Sequence, residues 1–262
     1  MTIEVLVIGI GTGNPEHLTQ QAIRALNRVD VFLVADKGPG KEDLVGLRDE
    51  ICRAFITAPG YRLVEVADPP RGSDRDRDGD AYREGVEVWH RRRAERYAEV
   101  IRAELGDTGT VGFLVWGDPA FYDSTIRIVE QIRDAGVDLD LSVVPGISSL
   151  QLLASEHRIV LNRIGQPVHV TTGRRLVEEY APALGDVAVM LDGDLACAAL
   201  VDEHPGLTIY WGAQLGLPDQ ALVSGRLADV TDEIRRTRRE IRERRGWVMD
   251  TYLLRPAKTT FS

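Results

Sequence analysis

Short, almost unbroken runs of Val, Ile and Leu recur through the first half of the chain and constrain its fold more than any other feature. Residues 3–10 form the first run, and residues 31–35, 61–66, 111–116 and 141–144 repeat it. Between them lie stretches with helical spacing. These are residues 16–28, with Leu18, Ala22, Ala25 and Leu26 on one face, then residues 44–55, 82–105 and 125–135. Strands that are apolar on both faces and alternate with helices predict a largely parallel sheet covered on both sides.

The pattern changes at Val144-Pro145-Gly146. Beyond it, strands at residues 168–172, 187–191, 207–211, 221–227 and 247–254 are punctuated by Gly and Pro, with helices at residues 196–203 and 229–245. The strands at 207–211 and 221–227 are close enough in sequence to pair antiparallel, so the second sheet is expected to be mixed. The chain reads as two α/β domains, residues 1–144 and 145–262, and its 262 residues suffice to build them. Two charged segments stand apart. Residues 68–80 are rich in Pro, Gly, Asp and Arg, carry no apolar anchor, and read as a solvated loop that could serve as a lid. The arginines of residues 235–245, interleaved with Glu240 and Glu243, read as a solvent-facing helix surface.

Composition removes several classes of function. A formal net charge of −9 argues against nucleic acid as a partner. The two cysteines, Cys52 and Cys197, and the five histidines, His17, His90, His157, His169 and His204, show no zinc-ligand spacing, so no metal is expected. The N-terminus reads directly as a strand rather than a signal peptide. No apolar stretch approaches the about 18 residues of a membrane span. A cytoplasmic location is expected.

Three motifs sit where strands end, the place at which open α/β sheets bind ligands. Gly9-Ile10-Gly11-Thr12-Gly13-Asn14-Pro15 invites comparison with a dinucleotide fingerprint, with Asp30 or Asp36 as the ribose acid. The third glycine of that fingerprint belongs at position 14, where this chain has Asn, and Pro15 stands where the helix would begin. The second motif is Trp116-Gly117-Asp118-Pro119-Ala120-Phe121-Tyr122. Asp118 there is either a ligand-facing acceptor or a cap for the following helix. The third is Val144-Pro145-Gly146-Ile147-Ser148-Ser149, in which a serine either caps a helix or meets a ligand.

Taken in this order, the three motifs resemble the tetrapyrrole (corrin/porphyrin) methylase family, and the likeness extends over essentially the whole chain. It continues through Leu161-Asn162-Arg163-Ile164-Gly165, Thr171-Thr172-Gly173-Arg174-Arg175, Met190-Leu191-Asp192-Gly193, Tyr210-Trp211-Gly212-Ala213 and Pro218-Asp219-Gln220. Together with Phe32-Leu33-Val34-Ala35-Asp36-Lys37-Gly38 and Trp116-Gly117-Asp118-Pro119, the segments from Leu161 to Ala213 narrow it to the cobalamin branch of the family. The resemblance implies two α/β domains, a homodimer, and S-adenosylmethionine folded into the cleft between the domains. It places cofactor contacts on Trp116, Gly117, Asp118, Phe121, Ser148 and Ser149, with later ones near Leu191, Asp192 and Leu215. The chain departs from the family at Thr12, where proline is common, and at Trp116, where a second glycine is common.

The resemblance also implies methyl transfer to a ring carbon of a corrin precursor, with loss of an acetyl group as acetate. Such transfer is catalysis by orientation and needs no covalent nucleophile, and none is evident in the sequence. Acetate release needs water and a general base, for which Asp118, Asp192 and His90 are candidates, although His90 also reads as a surface helix histidine. The substrate's carboxylates suit arginine forks, and Arg163, Arg174 and Arg175 are the candidates, with ordinary surface charge as the alternative. Other readings are a methylase of the family acting on a different precursor, a nicotinamide oxidoreductase, and a non-catalytic tetrapyrrole carrier.

Overall fold

The computed structural model describes residues 2–36, 42–69 and 79–257. Lys37, Gly38 and the centre of the charged loop, residues 70–78, lie outside the described residues. The chain divides into two compact units, Met1–Ile147 and Ser148–Ser262.

The first unit is a five-stranded parallel sheet. Its elements in chain order are β1 (Ile3–Gly9), α1 (Gln20–Leu26), β2 (Val31–Asp36), α2 (Glu42–Phe55), β3 (Arg62–Ala67), α3 (Gly79–Leu105), β4 (Gly109–Val115), α4 (Thr125–Asp134) and β5 (Leu139–Val144). The strand order is β3-β2-β4-β1-β5, which puts β1 between β4 and β5. The period of two explains the unbroken apolar runs. Ile3, Val5 and Val7 join a core with Ala94, Ile101 and Ile128, whereas Leu6 and Ile8 join one with Ala22, Leu26 and Ile51.

The expected helix over residues 16–28 is two pieces. Residues Pro15–His17 form a 3-10 turn, Leu18 is extended, and the Thr19 hydroxyl accepts from the Ala22 amide at 3.0 Å to start α1 afresh. His90 is also not a surface residue. It is only 7% exposed, and it continues the α3 stripe of Ala94, Tyr97 and Ile101 that packs on the sheet.

The second unit holds a mixed sheet. It comprises α5 (Ser149–His157), β6 (Val168–Thr172), α6 (Gly173–Glu179), β7 (Asp186–Met190), β8 (Thr208–Ala213), β9 (Ala221–Arg226), α7 (Leu227–Arg245) and β10 (Asp250–Arg255). The order is β6-β7-β10-β8-β9, with β6 and β7 parallel and every other pair antiparallel, including β8 with β9. Ser148 caps α5 in a reciprocal box with Gln151, and Gly246, at φ +75°, ends α7.

One expectation fails here. The stretch at 196–203 is only a 3-10 segment, Ala196–Leu200. Residues 171–175 run from the end of β6 into α6, which is anchored by the fully buried Leu176 and is too short to show a period.

Candidate functional site

The three sequence motifs of the first unit meet at the carboxyl ends of β4, β1 and β5. Beyond β1 the Ile10 amide donates to Val115 O at 2.9 Å, and Gly11 and Gly117 exchange hydrogen bonds of 3.2 and 2.7 Å. Both glycines lie in the left-handed region, at φ +72° and +67°, which an L side chain resists. The third strand end closes on the same point. A Cβ on Gly146 would stand 2.1 Å from Gly117 O and 2.9 Å from the Gly9 Cα, and one on Gly9 would stand 2.6 Å from the Gly146 amide nitrogen. Glycines are required because three backbones touch there.

Asp118 fastens this junction. Its Oδ1 accepts from the Ala120 amide and its Oδ2 from the Gly146 amide, each at 2.8 Å. The carboxylate therefore shapes its own turn and ties the β4 loop to the β5 loop. It does not cap α4, whose N-cap is Ser124. Asn14, in place of the third fingerprint glycine, accepts from the Glu16 amide at 2.9 Å and starts the Pro15–His17 turn.

Around the junction the surface is aromatic. Phe121 and Tyr122 are 37% and 47% exposed, and Tyr122 has φ +50°. Trp116 is half-buried beneath the guanidinium of Arg48 on α2, 5.8 Å from its ring centroid, and Arg48 Nε donates to Leu114 O at 3.3 Å. Burial pulls the Arg48 pKa below its ordinary value, with Asp123 opposing the shift. The sequence did not single out Arg48.

In the second unit the turn at residues 191–195, after β7, carries the later candidates. Leu191 is 65% exposed at φ +53°, and Leu195 has φ +57°. A branched side chain in this region costs about 1–2 kcal/mol, so something must hold the turn. Asp192 is buried. Its Oδ1 accepts from the Asp194 amide at 3.1 Å, and its Oδ2 accepts from the Ala196 amide at 2.7 Å and from the Tyr252 hydroxyl. A Cβ on Gly173 would lie 2.4 Å from the Asp192 carboxyl carbon, so the glycine of the β6–α6 junction admits this carboxylate.

Behind Asp192 stands a polar network that the sequence hid. Arg238, read as helix surface, is 8% exposed and pairs with Asp250 at 3.0 Å. Trp211 Nε1 donates to Asp250 Oδ2 at 2.7 Å. Burial pushes the Asp250 pKa up to about 6 against the pull of Arg238 and Trp211, with Asp192 adding to the rise. Burial likewise pushes the Cys197 thiol up to about 12 and raises Tyr252 well above its usual value. Neither thiol nor phenol is poised to lose a proton.

The remaining candidates separate. Leu215 packs in the core with Leu150, Leu153 and Leu253, so any ligand contact it makes is through its backbone. Ser148 spends its hydroxyl on the α5 cap. Arg163 pairs with the fully buried Asp186 at 3.2 Å, a carboxylate that Arg255 also engages at 3.1 Å. Asp186 opens β7 opposite Val168, whereas Arg174 and Arg175 follow the far end of β6, four residues or about 13 Å along the strand. The three arginines therefore do not converge. Arg174 and Arg175 are exposed on α6, and Arg175 pairs with Glu179, which also accepts from the Thr171 hydroxyl at 2.8 Å. The Arg175 bond, helped by Thr171, holds the Glu179 pKa below its usual value.

A parallel sheet with a glycine junction at three adjacent strand ends, joined in sequence to a mixed unit, defines a two-unit α/β protein whose first sheet has its strand ends arranged where such sheets bind ligands. The chain belongs to the Tetrapyrrole (Corrin/Porphyrin) Methylases, whose sequence model matches residues 4–231. It is 47% identical over 253 residues to a precorrin-6A synthase [deacetylating] of Sinorhizobium sp, covering 96% of this chain and 95% of that one. It is similar to the crystal structure of a cobalamin synthesis related protein, CobF, from Corynebacterium diphtheriae. The TM-score there is 0.82 at 40% identity, covering 97% of this chain and 99% of that one. The fold is also that of a uroporphyrin-III C-methyl transferase from Thermus thermophilus complexed with S-adenosyl homocysteine. That TM-score is 0.55 at 22% identity, covering 96% of each chain.

Proposed function

We propose that the protein is the S-adenosylmethionine-dependent methyltransferase of cobalamin biosynthesis that methylates precorrin-5 at C-1 and releases acetate, giving precorrin-6A. The glycine junction at Gly9, Gly117 and Gly146 carries the reading: three strand ends are packed too closely for any side chain, leaving backbone and Asp118 to shape the floor of a site. Membership of the methylase family and the 47% identity to a precorrin-6A synthase support it. The proposal includes a homodimer, which the family resemblance implies, and a cytoplasmic location.

The cofactor supplies an activated methyl group when bound. The protein's task is then to orient it and a nucleophilic ring carbon. Contacts are assigned to Trp116, Gly117, Asp118 and Phe121 of the first unit, and to Ser148, Ser149, Leu191, Asp192 and Leu215 of the second. Asp118 and Asp192 act by shaping loops, since both oxygens of each already accept hydrogen bonds. That geometry does not suit either carboxylate as the general base for acetate release. His90, buried in α3, is not assigned that role either. Calorimetric titration tests the cofactor assignment. S-adenosylhomocysteine should bind and NAD should not, and NAD binding without S-adenosylhomocysteine binding would overturn it.

Arg174 and Arg175 are assigned to carboxylates of the pigment. Each replacement by Ala should lower pigment affinity, by up to about 1.5–3 kcal/mol per charged hydrogen bond, and leave S-adenosylhomocysteine affinity unchanged. Arg163→Ala should do the reverse, lowering the melting temperature by unpairing one side of Asp186 while pigment affinity stays put. Pigment binding and thermal melts of the three variants separate the roles. Loss of pigment affinity in Arg163→Ala alone would reverse the assignment.

A further inference from the structure

We infer that Arg238 is a positioning residue for the cofactor: from the middle of α7 it fixes the turn at residues 191–195 by gripping its backbone. The inference rests on the reading that this turn touches S-adenosylmethionine. Arg238 Nη2 donates to the carbonyls of both Asp192 and Gly193, at 2.6 and 3.0 Å, and Arg242 adds a longer bond of 3.3 Å to Gly193 O. Its Nε lies 3.0 Å from Asp250 Oδ2 on β10, the same oxygen that accepts from Trp211 Nε1 on β8.

The turn needs such a grip. Leu191 and Leu195 both stand in the left-handed region, and Leu191 presents its side chain to solvent. An exposed leucine held in a disfavoured conformation is poor design for stability alone. The Asp192 side chain fixes the turn from within, through the Asp194 and Ala196 amides, and Tyr252 fixes Asp192. Arg238 fixes it from outside, through carbonyls. An arginine suits this place, because its planar fork presents Nη2 to the two carbonyls while its Nε faces the carboxylate. The Arg238–Asp250 pair is thus a rigid post between α7 and the sheet, and the turn hangs from it.

The test uses S-adenosylhomocysteine as the probe and the full chain. Removing Arg238 alone would strand Asp250, so Arg238→Met is combined with Asp250→Asn, which removes both charges of the pair together and keeps an acceptor for Trp211. The double variant should melt near wild type yet bind S-adenosylhomocysteine at least tenfold more weakly. Its KM for S-adenosylmethionine should rise, with kcat little changed. Arg238→Lys should restore part of the affinity. A double variant that binds within twofold of wild type overturns the inference. If the double variant does not fold, Arg238→Lys with wild-type affinity overturns it equally. Leu191→Asp separates the underlying reading. If it binds S-adenosylhomocysteine normally, the turn does not touch the cofactor and that reading fails. If it binds weakly while the Arg238 variants bind normally, only the role of Arg238 fails.

Discussion

Arg238→Met alone should cost about 3–5 kcal/mol of unfolding free energy at pH 8, and clearly less at pH 5. The asymmetry comes from Asp250. In the folded protein its pKa is raised to about 6 from an ordinary 3.8, chiefly by burial. Between these values the fold keeps a proton that the unfolded chain has released, so this carboxyl's contribution to stability is full below 3.8 and is lost as pH rises through about 6. Arg238 is what limits the loss, and removing it pushes the Asp250 pKa higher still. At pH 5 Asp250 is largely protonated with or without Arg238, and the variant lacks only the bonds to the carbonyls of Asp192 and Gly193. At pH 8 it must also bury an unpaired carboxylate or hold its proton against the solvent. Denaturant titrations at the two pH values check this. A penalty independent of pH would show that Asp250 does not titrate with the fold.

Gly146→Ala should destabilise the first unit by about 1–3 kcal/mol, the range for forcing extra volume into a packed site. The clash is with backbone, 2.1 Å from Gly117 O, so no side chain can rotate out of the way. Relief requires the β5 loop to withdraw from the β4 loop, which also breaks the bond from the Gly146 amide to Asp118. Cofactor affinity should fall with stability. Asp118→Ala loosens the same junction from the other side by removing the acceptor of two amides, and should cost a comparable 1–3 kcal/mol or so. Gly193→Ala is the control, since an added Cβ there meets nothing within 4 Å. Melting curves of the three variants should rank Gly146→Ala and Asp118→Ala well below Gly193→Ala, and S-adenosylhomocysteine titrations should show the first two binding more weakly than wild type. Three equal variants would mean that the junction tolerates a Cβ and shapes nothing.

The strand-end motifs were legible because glycine, aspartate and proline do local work that spacing reveals. The parallel sheet was legible because β1 is apolar on both faces, and Ile3, Val5 and Val7 do bury opposite to Leu6 and Ile8. What escaped were contacts between residues far apart in sequence. Arg163 looked like a free fork because Asp186, twenty-odd residues on, gives no local sign of being buried. Arg238 vanished into a run of arginines, although a signal was present: Thr231, Ile234, Arg238 and Ile241 fall on one helical stripe, and all four are buried. His90 was misread for the same reason, since it lies on the stripe of Ala94, Tyr97 and Ile101. In both helices the charged sequence masked the period that the apolar neighbours kept.

Methyl transfer from labelled S-adenosylmethionine to precorrin-5, with acetate measured in the same reaction, tests the central claim most directly. The account predicts that label enters the pigment and acetate appears in equal amount, neither occurring without S-adenosylmethionine. Label entering a different precorrin but not precorrin-5, or pigment binding with no label transferred, would contradict it.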